Sequence, residues 1–185
     1  MIETETTTAV DVAQPQQAGL TMWNDKASLD RAWRAAGMLS RSELVPDTYR
    51  GKPENCLIAL DIAGRINWSP MAVMQNLYVV KGKPSWSGQA CIAVINGCGR
   101  FTPLSFRWQG ERGQNDWGCV AVATRLHDGV VCESAPVTWQ LALDEGWVNK
   151  PGSKWKTMPE QIMMYRAGAF FARVHCPDVL QGIYV

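Results

Sequence analysis

The feature that most constrains this fold is a change of hydrophobic period along the chain. Over Phe101–Trp108, Trp117–Leu126 and Val130–Trp139 the residues are rich in β-branched and aromatic types, which suit a pleated, half-buried surface. Before and after that stretch, apolar residues recur at the three- and four-residue steps of an amphipathic helix. The β-rich runs are separated by turn material, Gly110-Glu111-Arg112-Gly113-Gln114-Asn115-Asp116 and His127-Asp128-Gly129. Asp-Gly between two such runs favours a tight hairpin, because both residues tolerate left-handed backbone. An α+β fold is therefore predicted, with a small antiparallel three-stranded meander packed against several helices and a long helix near the C-terminus.

The helical segments follow from spacing and punctuation. Asp25 to Met38 carries Leu29, Ala32, Trp33 and Ala36 on one side, with Gly37 near its end. Glu54 to Ile66 is apolar at Leu57, Ile58, Ile62 and Ala63, after a basic connector from Pro46 to Pro53. Pro70 suits the first turn of a short helix reaching Gln75. Leu77–Val80 is a short β-rich run, and Lys81-Gly82-Lys83-Pro84 follows it as a turn. Gly88–Ile95 is read as a helix ended by Gly97 and Gly99, Thr138–Glu145 as a short one, and Met158 to Val174 as the long one. Residues 1–22 have no periodic apolar face and are expected to be a disordered tail, leaving 23–185 as one domain.

Charge is unevenly spread. Residues 1–24 hold Glu3, Glu5 and Asp11 and no Lys or Arg, so the rest of the chain carries 18 basic against 14 acidic groups. Between Lys150 and Arg173 there are five basic residues and one acid, Glu160. Such an excess suits a polyanion, and many solvated surfaces share it. The six cysteines form no C-x-x-C pair and the two histidines lie far apart, so reduced core thiols are expected and no metal site. No phosphate-binding loop, dinucleotide fingerprint or nucleophile elbow is present, and the acids are scattered. A protein that is not an enzyme and needs no cofactor is expected. No apolar run is long enough to span a membrane and no secretory pattern opens the chain, so a cytoplasmic location is expected.

The late helix holds the most informative pattern. At about 100° per residue, Met163, Met164, Ala167, Phe170, Phe171 and Val174 fall on one broad face, with Gln161, Tyr165, Arg166, Ala169, Ala172 and Arg173 on the other. Arg166 and Arg173 lie seven residues apart, about 10.5 Å along one stripe. Small neighbours would let a nucleic-acid backbone approach two guanidinium forks. The same pattern also describes an ordinary amphipathic helix with a solvated polar face. Of the tryptophans, Trp33, Trp68, Trp108 and Trp139 are read as core. Trp86 and Trp155, flanked by polar or turn residues, are read as surface residues available to bases or to a neighbouring subunit.

Lys156, Met158-Pro159-Glu160-Gln161, Tyr165-Arg166-Ala167, Phe171-Ala172-Arg173, Pro177-Asp178 and Gly182-Ile183-Tyr184 together resemble the closing signature of the RecT/Redβ family of phage single-strand DNA annealing proteins. Leu44-Val45-Pro46, Tyr49-Arg50-Gly51-Lys52-Pro53, Cys56, Ala59, Ser69-Pro70, Met74-Gln75-Asn76 and Val79-Val80-Lys81-Gly82-Lys83-Pro84 agree with it in order, over roughly residues 40–184. Family members carry more lysines on the late helix, where this chain has Met164 and Tyr165. They usually continue past the Gly-Ile-Tyr end into a region for partner proteins, whereas this chain stops at Val185, as a naturally short or a truncated version would.

The resemblance implies ATP-independent binding of single-stranded DNA and annealing to a duplex product during phage-type recombination in a bacterial host. It also implies a homo-oligomeric ring or helical filament, and a phage exonuclease or a host single-strand-binding protein as further partners. DNA contacts are expected from Lys156, Arg166 and Arg173, with Arg50, Lys81 and Lys83 supplying the opposite wall of a groove. Gln161 is expected to hydrogen-bond sugar, phosphate or base, and Lys154 joins as a further candidate. A non-catalytic domain whose basic face binds an acidic protein is the alternative.

Overall fold

The computed structural model describes residues 21–80 and 82–185. The expected N-terminal tail lies outside the described residues up to position 20; Thr21–Trp23 forms a 3₁₀ turn, and the Trp23 indole donates to Asp61 at 2.9 Å. Helix α1 (Lys26–Leu39) starts where the Asp25 carboxylate accepts from the Ser28 N–H, and it packs on α2 (Pro53–Ile66). Helix α2 has Pro53 in its first turn, buries Cys56, Leu57, Ala59, Ile62 and Ala63, and ends at Asn67, whose φ of 54° is left-handed. A short α3 (Pro70–Asn76), capped by Ser69, buries Val73 and Met74.

Two strands, β1 (Leu77–Val80) and β2 (Lys83–Trp86), then form a separate antiparallel hairpin. The Lys83-Pro84 segment expected as turn is strand, because Gly82 takes φ 78° and completes the reversal before it. Pro84 has no N–H to give, and its position on this narrow two-stranded ribbon tolerates that. The hairpin base is closed by Ser87, whose N–H reaches the Asn76 carbonyl at 2.9 Å and whose hydroxyl reaches the Asn76 side chain at 2.7 Å. Ser87 also caps α4 (Gly88–Gly97).

The main sheet is built on β4 (Gly118–Thr124), which pairs with β3 (Ser105–Gln109) on one side. On its other side lie β5 (Val131–Glu133) and β6 (Val137–Thr138). The third strand of the predicted meander is thus split in two. The interruption is chemical: Ser134 Oγ accepts from the buried Ala121 N–H at 3.0 Å and donates to the Ala135 carbonyl at 2.9 Å, and Pro136 follows with no N–H. A short α5 (Trp139–Asp144) and the 3₁₀ turn Lys154–Lys156 lead into α6 (Pro159–His175). Among the described residues, no helix is long and apolar enough to cross a membrane.

Helix α6 packs on β4, β6 and α4 together. A Cβ on Gly168 would come within 2.6 Å of Ile92 Cγ1, and one on Gly88 within 2.7 Å of Tyr165 Cβ, so two glycines let α4 and α6 close on each other. This enclosure corrects the expected helix faces. Ala169 and Ala172, placed beside the arginines, are buried against close neighbours, and Val174, placed inside, is 71% exposed. The tryptophans are partly exchanged as well. Trp86 and Trp155 are 4% and 5% exposed, whereas Trp33 and Trp108, expected in the core, are 49% and 40% exposed. Strand alternation turns Trp86 inward past its polar neighbours, and the 3₁₀ turn does the same for Trp155 between two exposed lysines.

Candidate nucleic-acid interface

A cleft of about 620 Å³ opens between the β1–β2 hairpin and α6. The hairpin side presents Tyr78, Val80, Lys83, Ser85 and Trp86; the helix side presents Ile162, Tyr165, Arg166 and Ala169. Trp155, Gly88 and the segment Tyr184-Val185 complete the lining. The tight Gly88–Tyr165 contact fixes the root of the hairpin against α6, and with it the separation of the two walls.

The terminal segment is held along β2. The Trp86 N–H donates to the Tyr184 carbonyl at 2.7 Å, Ser85 bridges Tyr184 in parallel, and the Trp86 indole donates to the Leu180 carbonyl at 3.3 Å. Trp86 is therefore an anchor for this segment, which explains its burial. Tyr184 also lines an adjoining hollow of about 280 Å³ that includes Arg173, Pro177 and Gly182.

Arg166 has an aromatic support. Its guanidinium carbon lies 4.4 Å from the Trp147 ring centroid, a cation–π geometry. Trp147 stacks on Trp155 at 5.7 Å, and from there contacts run through Trp139 and Trp117 to Trp108 on the sheet. Burial is the main cause that pushes the Arg166 pKa down, the nearby charge of Arg173 adds to it, and Glu145 opposes the shift. Lys83 Nζ lies 5.1 Å and the Arg173 guanidinium 5.9 Å from the ring of Tyr184.

Among the described residues, Lys83, Arg166 and Arg173 form no ion pair with a carboxylate. Elsewhere the arginines are commonly neutralised. Arg65 meets Asp61, Arg107 meets Glu133, and Arg100 makes a two-pronged contact with Asp178 at 2.9 and 3.1 Å. Lys83, Arg166 and Arg173 thus keep their positive charge free where the hairpin and α6 face each other. Other cations without an ion pair among the described residues, such as Arg31, Arg34 and Arg41, lie on or beside α1.

The predicted site residues divide accordingly. Lys83 and Arg166 line the cleft, and Arg173 joins them through Tyr184. Lys154 and Lys156 are exposed on either side of Trp155 in sequence, and neither lines the cleft. Gln161 donates to the Tyr165 hydroxyl at 2.7 Å, positioning a lining residue rather than lining the cleft itself. Arg50 does not reach the opposite wall: it pairs with Asp47 at 3.2 Å and donates to the Glu43 and Val45 carbonyls. Lys81 lies outside the described residues. Sequence reasoning missed Trp147 and Tyr184 as site residues. Gly182-Ile183-Tyr184 stood out only as part of a signature, and nothing local ties Trp147 to a residue nineteen positions later. Comparison with protein-family models, with curated proteins and with solved structures finds no match to this chain.

Proposed function

We propose that this chain binds single-stranded DNA along the hairpin–α6 cleft and anneals complementary strands without ATP, as the RecT/Redβ proteins it resembles do. The observation that carries the reading is the placing of Lys83, Arg166 and Arg173, none with a carboxylate partner among the described residues, against aromatic faces at one cleft. Single-strand binding needs this combination: cations that track phosphates and rings that accept any base. Affinity then comes mainly from counterion release and carries little sequence preference. That suits annealing, where bases must stay free to test partners. The proposal assigns no covalent step to the site.

In this reading the working form is a large homo-oligomer, ring or filament, acting on DNA in the cytoplasm of a bacterial host. Val79 and Ile58, both exposed and bordering one hollow apart from the cleft, support self-association. A phage exonuclease or host single-strand-binding protein would act beside it. The test mixes complementary labelled oligonucleotides with the protein, without nucleotide, and follows pairing by energy transfer and assembly by electron microscopy. Faster pairing with large assemblies is expected, and excess oligo-dT should compete. Pairing at the protein-free rate would overturn the reading and favour a basic face for an acidic protein.

A further inference from the structure

Resting on the nucleic-acid reading, we infer that Tyr184 is the base-stacking residue of the cleft, with Lys83 and Arg173 serving the phosphates on its two sides. The segment that carries it is fixed by its backbone. Gln181 and Gly182 take φ of 55° and 68°, turning the chain sharply. The Ile183 N–H returns to the Leu180 carbonyl at 3.0 Å, and the Tyr184 carbonyl accepts from Trp86. Asp178, just before this turn, is clamped by Arg100. None of these contacts uses the Tyr184 side chain, which stays 55% exposed although its main chain is pinned. An exposed aromatic ring on an anchored backbone is pre-organised for a planar ligand and loses little freedom on binding.

The ring's present neighbours point to the ligand class. Both are cations, Lys83 at 5.1 Å and Arg173 at 5.9 Å, on different structural elements. An exposed cation–π contact is weaker than base–aromatic stacking. An incoming base therefore replaces a cation on the ring, and the displaced cation is released towards an adjacent phosphate. Tyr184 also borders both the cleft and the smaller hollow, so a strand passing from one to the other must cross it.

The test compares Tyr184→Ala, Tyr184→Phe and the unaltered chain by fluorescence anisotropy, on oligo-dT and on an abasic strand of equal length. Tyr184→Ala should weaken oligo-dT binding about tenfold, the size of one lost stack, while Tyr184→Phe stays near the unaltered affinity. On the abasic strand all three should bind alike. Since the Trp86–Tyr184 hydrogen bond is main-chain, the fold should survive, as tryptophan fluorescence would show. Equal loss on both strands, or no loss on either, would overturn stacking while leaving the cleft's function standing. Failure of the unaltered chain to bind either strand would remove the function itself, and this role with it.

Discussion

Replacing Arg166 and Arg173 together by alanine tests the cleft most directly. Each cation that neutralises a phosphate of a single strand contributes about 0.7 to the slope of log affinity against log salt. Loss of two should therefore lower that slope by about 1.4 and, at about 0.1 M salt, weaken binding about 25-fold. Between about 50 and 200 mM salt the unaltered chain should lose about sevenfold more affinity than the double variant. The fold should tolerate the change. Losing the Trp147 contact costs about 0.5–1 kcal/mol, while removing a half-buried charge repelled by Arg173 works in the opposite direction. The melting temperature should move by no more than about 2–4 °C. Arg166→Lys, which keeps the charge, should retain the salt slope. Salt-titrated anisotropy on oligo-dT is the assay. An unchanged slope would refute the reasoning even if affinity fell, because the lost contacts would then not be to phosphates.

Three further outcomes test the frame around the site. Gly168→Ala should destabilise by about 1–3 kcal/mol through overpacking, since its Cβ would sit 2.6 Å from Ile92 Cγ1; adding Ile92→Ala should recover part of the lost melting temperature. Asp128, held by Arg125 from its ordinary 3.8 down to about 2, should titrate near that value by NMR, and Arg125→Ala should return it upward. Because its folded pKa is depressed, its stabilising contribution is present above the unfolded value and is lost as pH falls from 3.8 through about 2. Burial pushes the Cys91 thiol up to about 12 and those of Cys119 and Cys176 up to about 11, so a thiol reagent at mildly alkaline pH should modify half-buried Cys98 first and these three only after unfolding.

Much of the framework was legible because it is written locally. Apolar spacing, Pro70 and the terminal glycines marked α1, α3 and α4, and Asp25, Ser69 and Ser87 cap them by accepting from the third residue after them. Asp128-Gly129 marked the β4–β5 turn, and Gly129 does take φ 70°. What was not legible depends on contacts distant in sequence. Trp86 looks like a surface residue among Lys, Pro and Ser, and only the Leu180 carbonyl and the Tyr184 segment, more than ninety positions on, make it a buried anchor. The faces of α6 were misdrawn because Ala169 and Ala172 were grouped with Arg166 and Arg173 as small neighbours of an open stripe, and Gly168 was given no face. On a helix enclosed by α4, β4 and β6 these small residues are the ones that let neighbours in. Arg50 entered the expected groove through the resemblance, yet a carboxylate three residues away captures it.

If Arg166 serves a phosphate as proposed, an aromatic support behind it suits that role better than a carboxylate would. A glutamate against its guanidinium would cancel the charge, as Glu133 does for Arg107 on the exposed sheet surface. Glu145 is near enough to oppose the downward pKa shift of Arg166, yet no ion pair forms between them among the described residues. The Trp147 face instead attracts the cation through its quadrupole while leaving the N–H donors at the guanidinium edge unspent. The row of tryptophans behind it keeps that face in place and excludes water from one side of the charge. The fold thus carries a desolvated, repelled cation that it does not neutralise, and such a group gains most when an anion arrives. That asymmetry, unfavourable alone and favourable with a phosphate, distinguishes Arg166 from the arginines that merely tie one element to another.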